Sequence, residues 1–192
     1  MSLEDKINKE FCVYPNGGKQ QYINSNYSID DFKRELSDCE KIIIHCTATD
    51  SEAWDNPMAC INYDLQPNHI SKKGCPFATY HFYVNKKGDI YQLVSLNLYT
   101  WNVAGHNRDS IAICVNHGAT KDNIYNVQYE ALIDAIVYVF DLMDWSYSED
   151  NVRERLTFHR DFNPYKSCPG KLNKEQLQNN VIARLKSYGD FV

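Results

Sequence analysis

The sequence predicts an α/β fold of the mixed α+β kind, with a central mixed β-sheet flanked by helices in a single domain. Three observations predict it. The runs "KIIIHC" (41–46) and "SIAICV" (110–115) are dense in β-branched residues and read as buried strands. In "TYHFYVNKKGDIYQLV" (79–94), aromatic and β-branched residues flank "NKKG", a turn with glycine at its end, which reads as a hairpin. After Asn126, residues Leu132, Ile133, Ile136, Val137, Phe140 and Met143 recur at helical spacing. That pattern calls for a helix of about four to five turns. Strands and helices alternate without internal repeats, the pattern of a sheet covered by helices.

Taken in order, residues 1–27 are polar and rich in asparagine, glycine and tyrosine, and read as an irregular extension. "SIDDFKREL" then offers Ser28 as a cap, with Ile29, Phe32 and Leu36 on one helical face. The chain is therefore divided into an N-terminal extension with a short helix, 1–40, and a main domain, 41–192. The first buried strand carries His45 near its end, at the rim of the sheet. Residues 47–75 are turn-rich, with Pro57, Pro67 and Gly74, and read as loops around a short helix. The hairpin, the second buried strand and the long helix follow. A final helix carries Leu177, Val181 and Leu185.

A chain of 192 residues is long enough for one full domain with a sizeable core. Apolar residues at 43% and charged residues at 23% are the balance of a globular protein. The net charge of −5, with no long run of lysine or arginine, argues against nucleic acid as a ligand. No apolar stretch reaches the length of a signal peptide or of a membrane span, about 18 residues. The expectation is a protein without membrane insertion, cytoplasmic as synthesised and monomeric. Seven cysteines at irregular spacing, with no CxxC pair, argue against a disulfide framework or a zinc ribbon. Most should be reduced and buried, Cys46 and Cys114 among them as core residues on strands.

"TFHRDFNPYKSCPG" (157–170) concentrates His159, Lys166 and Cys168 in a stretch that two prolines keep from forming one continuous helix. Irregular backbone of this kind is where sites are commonly built. Of the six histidines, His45 closes a buried strand and His159 opens this segment, so the two can point into one cleft at the sheet edge. His81, out of phase with Tyr80 and Phe82, reads as a packing or hydrogen-bonding residue. Two imidazoles and a thiolate suit zinc, and three protein ligands leave a fourth position for water. A zinc ion there would bring its water toward ionisation at neutral pH, for attack on a carbonyl. The Lys166 ammonium beside it would stabilise the resulting oxyanion.

Four stretches, "IIIHCTAT", "TYHFYVNKKGDIYQLV", "GHNRDSIAICV" and "FHRDFNPYKSCPG", resemble in order and form the zinc-dependent N-acetylmuramoyl-L-alanine amidases. These include phage lysozymes of the amidase type and the peptidoglycan recognition proteins, and the likeness runs from about residue 41 to about 187. The resemblance implies a Zn2+ held by His45, His159 and Cys168, with Tyr80 and Lys166 assisting the reaction, and makes 41–192 the catalytic domain. It implies peptidoglycan or a muropeptide as substrate, cut between the lactyl group of N-acetylmuramic acid and L-alanine. The implied role is that of a phage-type endolysin acting on the cell wall after release or delivery. A cytoplasmic muropeptide-recycling amidase is the main rival.

The chain also departs from the family. Some relatives use a glutamate as general base, and no equivalent can be placed here. Where relatives often carry a histidine before the "AG" turn, this chain has Asn102 in "WNVAGHN"; Trp101, Asn102, His106 and Asn107 are the candidate substrate-binding residues. Trp54 and Trp101 read equally as groove walls or as packing. Three other readings compete with the zinc amidase. A non-catalytic recognition module would lack the cysteine ligand, whereas Cys168 is present. A cysteine hydrolase using Cys46 or Cys168 would work without metal. A structural zinc would call for a fourth protein ligand, and none is obvious.

Overall fold

The computed structural model describes residues 2–118, 124–189 and 191–192. Six strands form one sheet in the order β1-β4-β3-β5-β2-β6, where β1 is Ile7–Asn8, β2 Lys41–Cys46, β3 Phe82–Val84, β4 Ile90–Gln92, β5 Ser110–Val115 and β6 Leu156–Phe158. All neighbours pair in parallel except the β3–β4 hairpin, so the sheet is mixed, as the sequence predicts. The helices are α1 Pro57–Leu65, α2 Asn126–Leu142, α3 Glu149–Arg155, α4 His159–Phe162 and α5 Lys174–Lys186. Among the described residues, no helix is long and apolar enough to cross a membrane.

Side-chain alternation along the strands divides the core between the two faces of the sheet. Ile42, Ile44, Phe82, Val84, Ile111, Ile113 and Val115 pack against α2, α3 and α5. Tyr83 and Cys114 point the other way, toward α1 and the N-terminal segment. α2 is buried without a break from Ala131 to Phe140, so it behaves as an inner helix rather than an amphipathic cover. All seven cysteines are free, and all but Cys168 are buried.

The N-terminal segment is knitted into the fold more closely than its polar composition indicates. β1 adds an edge strand beside β4, and Val13, Tyr22 and Phe32 are buried in the second core. The helix expected over 28–36 is instead two single 3-10 turns, Ile29–Phe32 and Leu36–Asp38. Between them the backbone stays extended, because Arg34 donates its N–H to the Asn97 carbonyl and Lys33 bridges Leu98. Tertiary pairing outweighs helical propensity here.

Arg34 is 5% exposed and acts as the clasp. Its Nε donates to the Leu96 carbonyl (2.7 Å) and its Nη1 to those of Arg108 (2.8 Å) and Ser110 (2.7 Å). Its Nη2 lies 2.9 Å from His81 Nε2. The Ala112 N–H donates to His81 Nδ1 (3.0 Å), so the ring proton sits on Nε2, 2.9 Å from the Leu98 carbonyl. Burial, then the Arg34 charge, holds the His81 pKa well below the usual imidazole range, and the ring stays neutral. His81 is thus a hydrogen-bonding residue, as its strand phase predicts.

Candidate metal centre and its groove

β2 delivers the first donor. Ile42 and Ile44 face the helical core, so the alternation turns His45 to the opposite side, where it pairs in register with Cys114. His45 is 1% exposed; its Nδ1 is 3.9 Å from the Cys168 sulfur and its Nε2 is buried without a hydrogen-bond partner. Burial, reinforced by the neighbouring His159, pulls the His45 pKa down to about 3, which keeps its lone pair free at neutral pH.

The other two donors sit on one laced loop. Asp161 Oδ2 accepts the Phe158 N–H (2.9 Å) and the Lys174 ammonium (2.7 Å), fixing the turn that begins with His159. The Arg160 N–H donates to the Cys168 carbonyl (3.0 Å), and its guanidinium reaches the carbonyls of Gly170 and Leu172. The Cys168–Pro169 peptide is cis. These bonds fold back the span between His159 and Cys168, so that one donor atom from each of His45, His159 and Cys168 lies within 4.8 Å of the others.

Cys46 is buried as expected, yet its backbone N–H donates to Cys168 Sγ (3.2 Å), a contact that suits a thiolate. The adjacent Cys46 thiol and burial push the Cys168 thiol up, so without a cation it holds its proton. An unpaired buried nitrogen beside a second imidazole and a sulfur is a donor set that could hold a metal ion, of the kind zinc takes.

Two of the three donors open onto pockets: His159 lines two that share several residues, and His45 lines the smaller of them. A shallow one of about 580 Å³ is lined by Ile70, Trp101, Asn102, Asn107, His159 and Lys166, among others. A smaller one of about 240 Å³ is lined by His45, Asp64, Thr79, Tyr80, His159 and Lys166, among others. Tyr80 stands with its ring centroid 5.1 Å from that of His45, and burial pushes its phenol well up, leaving the hydroxyl a neutral donor. Trp101 is a groove wall, braced from behind by Tyr27 and Phe32 of the N-terminal segment. Asn107 Oδ1 accepts the N–H groups of Asn102 and Val103, both at 3.0 Å, and so shapes the loop that carries that wall. Trp54 lines the smaller pocket.

His106 touches the groove through Phe162 and Val103, both of which line the shallow pocket. It does not line either pocket; its Nδ1 is 3.1 Å from Asp109 Oδ2 and its ring packs on Phe162, 4.4 Å between centroids. Asp64 was not singled out in the sequence, and it is a buried carboxyl in the smaller pocket. The available signal was an acidic residue on the inward face of α1, one turn after the core residue Cys60.

Several solved structures share this fold. The chain resembles the Ph2119 endolysin of the Thermus scotoductus MAT2119 bacteriophage (17% identity, TM-score 0.63, 88% of this chain and 98% of that one). It also resembles the N-acetylmuramoyl-L-alanine amidase LysC of Clostridium intestinale (18%, 0.59, 88% and 96%). A third likeness is to the ectodomain complex of the peptidoglycan recognition proteins LCa and LCx, solved with tracheal cytotoxin bound (19%, 0.61, 94% and 98%). At these identities the likeness is one of fold. No curated protein matches the chain. A family profile does, across residues 35–171, from just before β2 to just past the Cys168 loop. By that match, this chain is a member of the N-acetylmuramoyl-L-alanine amidase family.

Proposed function

We propose that this protein is a zinc-dependent amidase that cuts peptidoglycan between the lactyl group of N-acetylmuramic acid and L-alanine, in the role of a phage-type endolysin. The observation that carries the reading is the convergence of His45, His159 and Cys168, with His45 and His159 lining the pocket that also holds Tyr80 and Lys166. A zinc ion bound there supplies a Lewis acid for the lactyl carbonyl and lowers the pKa of a bound water.

The chain's own side chains then have distinct work. His45 and His159 offer neutral nitrogens, each held neutral first by burial. Lys166 places an ammonium in the pocket where the carbonyl oxygen gains charge, and the Tyr80 hydroxyl is a second donor lining the same pocket. Trp101, Asn102 and Asn107 line the shallow pocket, where the glycan or the stem peptide lies. Cys168 favours an enzyme over a recognition module that binds without cutting. In this reading the protein works as a monomer, made in the cytoplasm and acting on the wall after release.

Chelation tests the metal. Clearing of purified cell walls should stop with a chelator and return on zinc add-back; a chelator-resistant activity would instead indicate thiol hydrolysis. The loop lacing gives a second expectation. Asp161→Ala removes the acceptor for the Phe158 N–H and the Lys174 ammonium and should weaken zinc affinity by roughly 10-fold to 100-fold, as read by competition with a chromogenic chelator. An unchanged affinity would mean that the turn holds His159 without it.

A further inference from the structure

The site lacks a placed proton carrier: water must lose a proton as its oxygen bonds to the lactyl carbonyl carbon, and the amide nitrogen must gain one as the C–N bond breaks. Asp64 is the candidate. It is 3% exposed, on the last turn of α1, and lines the pocket that also holds His45, Tyr80, His159 and Lys166. Its Oδ2 accepts the Thr79 N–H (2.8 Å) and hydroxyl (2.9 Å), with the Cys60 thiol at 3.8 Å. These contacts all use one oxygen and aim the carboxyl rigidly, while Oδ1 has no hydrogen-bond partner among the described residues.

Building on the proposed amidase reading, we propose that Asp64 is the proton carrier of the reaction, its carboxylate taking the proton of the attacking water and returning it to the departing L-alanine nitrogen. The electron pair of the broken C–N bond stays on that nitrogen, so the balance closes with water as the sole co-reactant. Burial, partly offset by the Thr79 hydrogen bonds, raises the Asp64 pKa to about 6, near the working pH of an effective acid–base group. The titratable groups that face it are Cys60 on α1, Cys75 and Tyr80 on the following loop, Tyr83 on β3 and Cys114 on β5. Each is itself pushed up by burial and stays neutral. The pocket's cationic side chain is Lys166, and its imidazoles are His45, His69 and His159.

Asp64→Asn keeps the size of the side chain and an acceptor for Thr79. With unchanged zinc content, kcat on a soluble muropeptide should fall roughly 100-fold or more, with KM within a few fold, and the acid limb near pH 6 should vanish. A second readout needs no turnover. A folded-state pKa above the unfolded one adds stability that is complete below about pH 4 and lost as pH rises through about 6. The unfolding constant of the metal-free wild type should therefore rise roughly 100-fold over that window relative to Asp64→Asn.

Should Asp64→Asn not fold, Thr79→Val removes one bond to the charged form and should move the acid limb upward. Retained kcat with an unchanged limb in Asp64→Asn, or an unmoved limb in Thr79→Val, overturns the proposal while leaving the amidase reading intact. A wild type that releases no stem peptide overturns both.

Discussion

Cys168→Ser is expected to lose the bound zinc and at least about a thousandfold in stem-peptide release, the loss that follows from removing roughly 4 kcal/mol of transition-state stabilisation. The fold should survive it. Cys168 is half-buried on a loop shaped by bonds through Arg160 and Asp161, and a serine hydroxyl keeps an acceptor for the Cys46 N–H that the sulfur accepts. His159→Ala should behave alike, its side chain being partly exposed. Metal analysis, far-UV circular dichroism and an activity assay on one preparation check all parts. Activity kept by Cys168→Ser would remove the thiolate from the mechanism.

Arg34→Met should produce the largest loss of stability. It strips the carbonyls of Leu96, Arg108 and Ser110 of their donor in a buried setting, and each such orphan costs about 1–3 kcal/mol. A net loss of at least about 3 kcal/mol is expected, a fall in Tm of about 6–12 °C at this chain length. Arg34→Lys should recover little, since one ammonium cannot reproduce the fork that meets carbonyls from two loops. Thermal unfolding of the three proteins decides it. A drop under about 1 kcal/mol would mean that the N-terminal segment is held by its apolar contacts alone.

Elements whose own residues carry the pattern were legible in the sequence: β2 and β5 from their β-branched runs, the β3–β4 hairpin from its turn, and α2 and α5 from their spacing. The elements missed depend on distant partners. β6 is three residues long and exists because Leu156, Thr157 and Phe158 pair with β2, and α3 before it has a single buried residue, Val152. In residues 1–40, the buried Ile7, Val13, Tyr22 and Phe32 follow no period, and Arg34 reads as a surface charge until the carbonyls around it are seen.

At the site, His45, His159 and Cys168 were legible because strand end and loop composition mark them locally. Their convergence with Tyr80 and Lys166 needed the resemblance, and the fold brings all five to one place. Asp64 stayed hidden because an acidic residue ending a short helix is ordinarily solvated. His106 was singled out from its place in "WNVAGHN"; its ring pairs with Asp109 and packs on Phe162, which lines the shallow pocket.

The most direct test is mass spectrometry of the products formed from intact peptidoglycan and from soluble muropeptides. The amidase predicts free stem peptides with a new amine on L-alanine, beside glycan that keeps its lactyl carboxylate. Faster release from the polymer would support the lytic role, and faster release from fragments the recycling one. Binding without cleavage by zinc-loaded protein, or cuts within the glycan or the peptide, would contradict the account.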